Sequence, residues 1–225
     1  FPYTTLFRSE LLITSDGSHT LFVPEIDEYY HSTHGAIQES RHIFIETALK
    51  QHSKTELNVL EVGFGTGLNA LLALVEAERS GKIIHYCTLE KYPVAVEKAF
   101  LLNYPAMIDV RYKDVFEKMH SSAWNGKVKI TPFFEIEKME CDFTNFEHTS
   151  TYDIVFFDAF SPEKQPEMWT QQQFEKIYAH CNPGAILTTY CAKGVVRRAL
   201  QSAGFSVERL AGPPGKREIL RAVKL

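Results

Sequence analysis

The sequence predicts an α/β fold: a mostly parallel sheet with helices on both faces, an antiparallel C-terminal strand and an N-terminal extension. Three observations carry this. Short apolar strand signals alternate with helix-length stretches from Asn58 to Ala203. A glycine loop, Gly63-Phe64-Gly65-Thr66-Gly67, joins the first strand of that series to its helix. The last two strand signals have no helix between them, so one of them runs antiparallel.

The elements follow in order. Leu11–Thr14 and His19–Val23 flank the turn signal Ser15-Asp16-Gly17-Ser18, which predicts a hairpin. A polar, aromatic segment (Tyr29, Tyr30, His31, His34) leads into a helix over Ala36–Gln51. Then come strand Asn58–Val62, helix Leu68–Glu78, strand Ile83–Leu89 and helix Val94–Leu102. Lys127–Cys141 reads as a second hairpin, broken at Thr131-Pro132. Strand Ile154–Phe157, helix Trp169–His180, strand Ala185–Tyr190 and helix Val195–Ala203 precede final strands at Ser206–Leu210 and Glu218–Val223. No element is assigned between 103 and 126. The expected organisation is an extension over 10–56 and a catalytic domain over 57–225.

Composition narrows the class. With 225 residues, 44% hydrophobic and 23% charged, the chain suits one globular domain and excludes disorder, collagen and coiled coil. No run of 18 uncharged apolar residues is present, so no membrane helix is expected. A net charge of −4 excludes nucleic-acid binding by bulk positive charge and leaves a local basic patch open. Cys87, Cys141, Cys181 and Cys191 lie apart with no C-x-x-C pair, so neither metal nor a disulfide framework is expected. Phe1–Ser9 is what the end of a common sequencing adaptor encodes. Residues 1–9 are therefore read as an artefact ahead of native sequence near Glu10. They lack the apolar core of a signal peptide.

The glycine loop allows a sharp βα turn and close approach of a ligand to backbone N–H groups. A tight turn with no ligand is the plainer alternative. Glu90 ends the next strand, 23 residues after Gly67, where a carboxylate can accept from both ribose hydroxyls of a nucleoside. Its alternative is a surface charge paired with Lys91. The frame Gly65-Thr66-Gly67-Leu68-Asn69-Ala70 fits the looser dinucleotide fingerprint, so the loop alone leaves NAD open. Asp158 ends the apolar run Ile154–Phe157, at the carboxyl edge of the sheet where ligands bind, or else it caps the turn that follows.

Glu61-Val62-Gly63-Phe64-Gly65-Thr66-Gly67-Leu68-Asn69 resembles the acidic glycine loop of class I S-adenosylmethionine-dependent methyltransferases, whose Rossmann-like sheet ends in an antiparallel pair. The resemblance implies that Glu61, Gly63, Phe64, Gly65, Thr66, Gly67, Asn69 and Glu90 bind S-adenosylmethionine. It also implies that Asp142 holds the adenine amino group, against the alternative that Asp142 caps a short helix. Asp158-Ala159-Phe160-Ser161-Pro162 resembles the D/N-P-P-aromatic loop of amino-group methyltransferases, departing from it at Ala159 and Phe160. Together with Leu89–Pro93, Phe157–Trp169 and Gly215–Leu220, these stretches are similar to the MnmC-type methyltransferase family over residues 20–225. Bifunctional members carry a following FAD-dependent oxidase domain. This chain stops at Leu225 and resembles the stand-alone form, so FAD is not expected.

The resemblance implies a reaction: methyl transfer to the aminomethyl nitrogen of 5-aminomethyl-2-thiouridine at the tRNA wobble position, in the cytoplasm. If that amine has a lysine-like pKa of ~10.4, freeing its lone pair at pH 7 costs about 4–5 kcal/mol. An ordinary aspartate is too weak a base to take the proton efficiently. Asp158 is therefore expected to orient the neutral amine and to stabilise the charge developing on nitrogen. For tRNA, residues 191–225 carry a net +6 against −10 elsewhere, and Lys193, Arg197, Lys216 and Arg217 are the expected phosphate contacts. Solvated surface charge is the alternative, preferred for Arg209 and Lys224. Two rivals remain: a spermidine-synthase-like aminopropyltransferase and an inactive nucleoside-binding scaffold.

Overall fold

The computed structural model describes residues 9–225, so the adaptor reading of residues 1–9 falls, apart from Ser9, outside the described residues. The expected hairpin forms from β1 (Glu10–Ile13) and β2 (His19–Val23), and β3 (Glu28–Tyr29) completes a three-stranded antiparallel sheet. The hairpin turn also starts the next helix. Asp16 Oδ2 accepts from Gln38 N (3.0 Å), and Ala36 N donates to Ser18 Oγ (3.2 Å). These acceptors supply the missing cap of α1 (Ala36–Ser40), whose own N-cap is Gly35.

The single helix expected over Ala36–Gln51 is a correction. After α1 the chain widens into a π-turn over Arg41–Glu46 and tightens into a 3₁₀ turn over Leu49–Gln51. Ile43, Phe44 and Ile45 are all buried in the widened turn, where π geometry sets all three against the core. The Thr47 hydroxyl also donates to the Ile43 carbonyl (2.6 Å). Leu21, Ile37, Ile43, Phe44 and Leu49 enter the same apolar cluster as the first long helix of the main sheet, so the extension shares that core.

The alternating series then runs as read: β4 (Glu56–Val62), α2 (Leu68–Ser80), β5 (Ile83–Glu90) and a short α3 (Val96–Ala99). Two helices left unassigned by the sequence follow, α4 (Tyr104–Ile108) and α5 (Lys113–Ser121). β6 (Gly126–Thr131) and β7 (Phe134–Glu140) form the second hairpin. The chain continues through β8 (Tyr152–Phe157), α6 (Gln171–His180), β9 (Cys181–Thr189), α7 (Gly194–Ser202), β10 (Ser206–Ala211) and β11 (Glu218–Val223).

The main sheet has the order β10-β11-β9-β8-β4-β5-β7-β6. β7, β5, β4, β8 and β9 pair in parallel, and β11 runs antiparallel to both its neighbours. β8 is buried throughout, and its alternate residues separate. Ile154 and Phe156 join the core that holds α2, while Val155 and Phe157 join the core that holds α6 and α7. That alternation is why helices cover both faces.

Candidate active site

Parallel pairing brings three strand ends to one edge. Val62 on β4 lies opposite Leu89 on β5 and Phe157 on β8. Gly63 N then donates to Leu89 O (2.9 Å), and Asp158 N to Val62 O (3.0 Å). The strand ends surround a cleft of about 440 Å³, a size suited to a small molecule. Residues 63–66 of the glycine loop line it, as do Glu90, Asp142, Asp158 and Lys216. Tyr29, Tyr30 and His31 of the extension form part of the wall, whereas His34 packs on Gly215.

Two glycines are required by close approach. Gly63 has φ of +95°, and a Cβ there would stand 2.7 Å from the Asp158 carbonyl oxygen. Gly65 has φ of +50°, and its Cβ would meet the Tyr30 ring at 2.7 Å. The loop is braced from behind. His31 Nε2 lies 2.6 Å from Thr66 Oγ1, and His120 Nε2–H donates to Thr66 O at 3.1 Å. Burial lowers the pKa of His31 to about 4 and that of His120 to about 3, so both are neutral at pH 7.

Glu90 is fixed by backbone donors: Oε2 accepts from Gly65 N (3.0 Å) and Oε1 from Tyr92 N (2.8 Å). Each oxygen keeps a lone pair for a ligand. Burial lifts its carboxyl above the ordinary range against the pull of those N–H groups. The expected alternative, a Glu90–Lys91 pair, is not what forms. Lys91 Nζ lies 2.8 Å from Asp142 Oδ2 instead. Asp142 Oδ1 also accepts from Thr144 N (2.9 Å) at the start of the turn Phe143–Asn145, so the capping role is present while Asp142 still faces the cleft. Burial raises its pKa, but Lys91 and Thr144 outweigh that and hold it below the usual value.

Three of the predicted cofactor-binding residues lie outside the cleft wall: Glu61, Gly67 and Asn69. Glu61 is fully buried beneath the loop and accepts from Thr88 Oγ1 (2.7 Å), and burial raises its carboxyl well above the usual range. Asn69 acts one layer back, donating from Nδ2 to Asp158 Oδ2 (2.8 Å). That leaves Asp158 Oδ1 for a ligand. Burial pushes Asp158 up to about 7, opposed by the Asn69 bond, with Glu39 adding to the rise and Lys216 reducing it.

The basic residues grouped by sequence are divided. Lys216 sits inside the cleft, ion-paired with Glu39 at 3.0 Å. Lys193, Arg197 and Arg217 lie outside the cleft wall: Lys193 pairs with Glu163, Arg197 is half-buried with Nε unpartnered, and Arg217 is exposed. Arg209 and Lys224, expected to be solvated surface charges, bond to the protein instead: Arg209 pairs with Glu218 (3.1 Å), and Lys224 donates to the Tyr178 and Cys181 carbonyls. Glu39, Tyr190 and His120 carry no functional signal in the sequence. Among the described residues, no group of three or more His, Cys, Asp or Glu side chains is arranged to hold a metal. No helix among them is long and apolar enough to cross a membrane.

A parallel α/β sheet with a glycine loop, a strand-end glutamate and a strand-end aspartate on one cleft defines a nucleoside-handling enzyme. A family described as S-adenosyl-L-methionine-dependent methyltransferase matches residues 106–225, more than half of the sequence, and the chain belongs to that family. It is 31% identical to the "tRNA 5-methylaminomethyl-2-thiouridine biosynthesis bifunctional protein MnmC" of a Marinomonas strain, across 87% of this chain and 31% of that protein. The protein of the same name from Pseudoalteromonas atlantica is 27% identical over 97% of this chain and 34% of its own length. The chain thus spans about a third of the length of these curated relatives. The crystal structure of MNMC2 from Aquifex aeolicus superposes with a TM-score of 0.75 at 27% identity, covering 96% of this chain and 70% of that one. Spermidine synthase from Thermotoga maritima shares the fold, with a TM-score of 0.58 at 9% identity.

The cofactor is S-adenosylmethionine, and the residues present fit it. Glu90 has acceptor capacity for ribose hydroxyls, and Leu89 and Phe143 offer apolar surface beside it.

Proposed function

We propose that this protein methylates the aminomethyl nitrogen of 5-aminomethyl-2-thiouridine at the tRNA wobble position. The observation that carries the reading is Asp158, set on the same cleft as the glycine loop and Glu90 and ending the strand beside them. The names of the curated relatives support the substrate. In this reading Glu90 holds the ribose, Asp142 borders the adenine, and residues 63–66 approach the cofactor through backbone. When bound, S-adenosylmethionine supplies an electrophilic methyl group on a sulfonium.

Asp158 does more here than its residue type implies. An ordinary aspartate facing an amine of pKa ~10.4 meets a proton-transfer deficit of about 9 kcal/mol. Held near 7, Asp158 reduces that deficit to roughly 4–5 kcal/mol. Oδ1 takes the ammonium proton, Asn69 keeps Oδ2 in place, and the carboxyl group orients the freed lone pair. Lys193, Arg197 and Arg217 meet tRNA phosphates. Lys216 leaves that set, because its ammonium lies inside the cleft, paired with Glu39, and not on the outer surface. The protein works in the cytoplasm, where its tRNA is.

The test is mass spectrometry of tRNA carrying 5-aminomethyl-2-thiouridine after incubation with S-adenosylmethionine. A gain of one methyl group on the wobble nucleoside is expected. Unchanged tRNA defeats the reading, and an aminopropyl product with decarboxylated S-adenosylmethionine would favour the spermidine-synthase-like rival.

A further inference from the structure

The Asp158 end of the cleft contains an ion pair that joins distant parts of the chain. Glu39 comes from α1 in the extension and is 8% exposed. Its Oε1 accepts from Ser32 N at 3.1 Å, which fixes the carboxylate. Its Oε2 is buried without a hydrogen-bond partner and faces Lys216 Nζ at 3.0 Å. Lys216 comes from the loop between β10 and β11, and the same ammonium lies over the Tyr190 ring, 5.0 Å from its centroid. Tyr190 is anchored in turn, its hydroxyl donating to the carbonyl of Ala159, the residue after Asp158 (3.0 Å).

A lysine head group is a primary alkylammonium on a methylene. Its position shows what this part of the cleft is built to hold: a fixed carboxylate on one side and an aromatic face on another are the two standard partners of an ammonium. We propose that Glu39 and the Tyr190 ring form an ammonium-recognition subsite next to Asp158, and that Lys216 is its exchangeable occupant in the ligand-free protein. An arriving primary amine takes the place of Lys216 at Glu39 and then meets Asp158. The division of labour is physical. A carboxyl group held near 7 is only about half ionised at neutral pH, which suits proton transfer but makes a weak anchor for a cation. Glu39 provides the attraction. Glu39 is a specificity residue in this scheme.

The identity of the natural amine rests on the function proposed above; the existence of the subsite does not. The test uses n-butylammonium as the probe and protein-detected NMR of the ligand-free protein, with sodium chloride at matched ionic strength as the control. Wild type, Lys216→Met, Glu39→Gln and the double variant are titrated. Lys216→Met is expected to bind the probe at least about tenfold more tightly than wild type, with saturable shifts at Tyr190 and Gly215. The double variant is expected to lose that binding. Equal affinity in wild type and Lys216→Met overturns the proposal, as does retained binding in the double variant. Retained methyl transfer to aminomethyl tRNA with no probe binding would break the subsite and spare the function. Probe binding without methyl transfer would do the reverse. Lys216→Met keeps the stem that packs on Tyr190, so it reports even if Glu39→Gln folds poorly.

Discussion

Around Glu90 the cleft is held by main chain: N–H groups of Gly65 and Tyr92 grip the carboxylate, and the glycine loop is braced at Thr66. Around Asp158 it is held by side chains from four separate stretches: Asn69 on α2, Glu39 on α1, Tyr190 after β9 and Lys216 before β11. Backbone donors are fixed by the fold and need only a glycine motif and a strand-end acid. Side-chain partners depend on how remote segments pack. The first arrangement suits a ligand common to many reactions, and the second suits the part of a site that must discriminate.

The contrast can be broken at Asp158 first. Asp158→Ala is expected to reduce single-turnover methyl transfer by about 10²–10⁴-fold, the range for losing an acid–base group. Calorimetry should find S-adenosylmethionine affinity nearly unchanged. Equal losses in both would mean that the two ends are one unit. Glu90→Ala is expected to weaken S-adenosylmethionine binding by about 1.5–3 kcal/mol, because a charged acceptor is removed, with the transfer rate at saturating cofactor largely kept.

Gly63 belongs to both ends, since its missing Cβ makes room for the Asp158 carbonyl. Gly63→Ala should therefore lower global stability by more than about 1 kcal/mol in denaturant titrations and weaken cofactor binding as well. A neutral result would show that the backbone there yields easily.

A smaller effect concerns pH. The folded protein holds the Asp158 proton up to about 7, whereas the ordinary carboxyl loses it near 3.8. Between those values the folded state binds more protons than the unfolded state, so this group makes stability fall as pH rises. Asp158→Asn removes the decline. Its melting temperature relative to wild type should climb from pH 4 to pH 7 and level off above, and a constant difference would remove the assignment. Smallest is the outer surface. Replacing Lys193 and Arg217 with alanine should reduce the salt slope of tRNA binding by about one unit for each phosphate no longer neutralised.

What the sequence makes legible follows the same division. β4, the glycine loop, Glu90 and Asp158 are local patterns: an apolar run, a turn and a charge at its end. Glu39 carries no such sign. It is an acid beside Ile37 and Ser40 on the buried side of a helix, and only its partner far along the chain gives it a role. Lys216 reads from sequence as one more phosphate-facing surface charge for the same reason. Asp142 stays divided between two readings because both are local, and the cap is present in the structure. α5 is missed although its buried Phe116, Met119 and His120 have the i, i+3, i+4 spacing of a helix face; the helix is short and otherwise mostly polar, and its His120 braces Thr66. The helix expected over Ala36–Gln51 fails at Arg41–Glu46, where the turn widens without any glycine or proline to mark it.

The strand order β10-β11-β9 has a consequence for synthesis. β11 lies inside the sheet, between two strands that are both made before it. Until it arrives, β9 presents an open edge, a template for pairing with another chain. The loop that carries Lys216 leads directly into that strand. A growing polypeptide can therefore shape the glycine loop and Glu90 well before it can assemble the surroundings of Asp158. During that interval the open flank of β9 is where chaperone capture or early aggregation would be most effective.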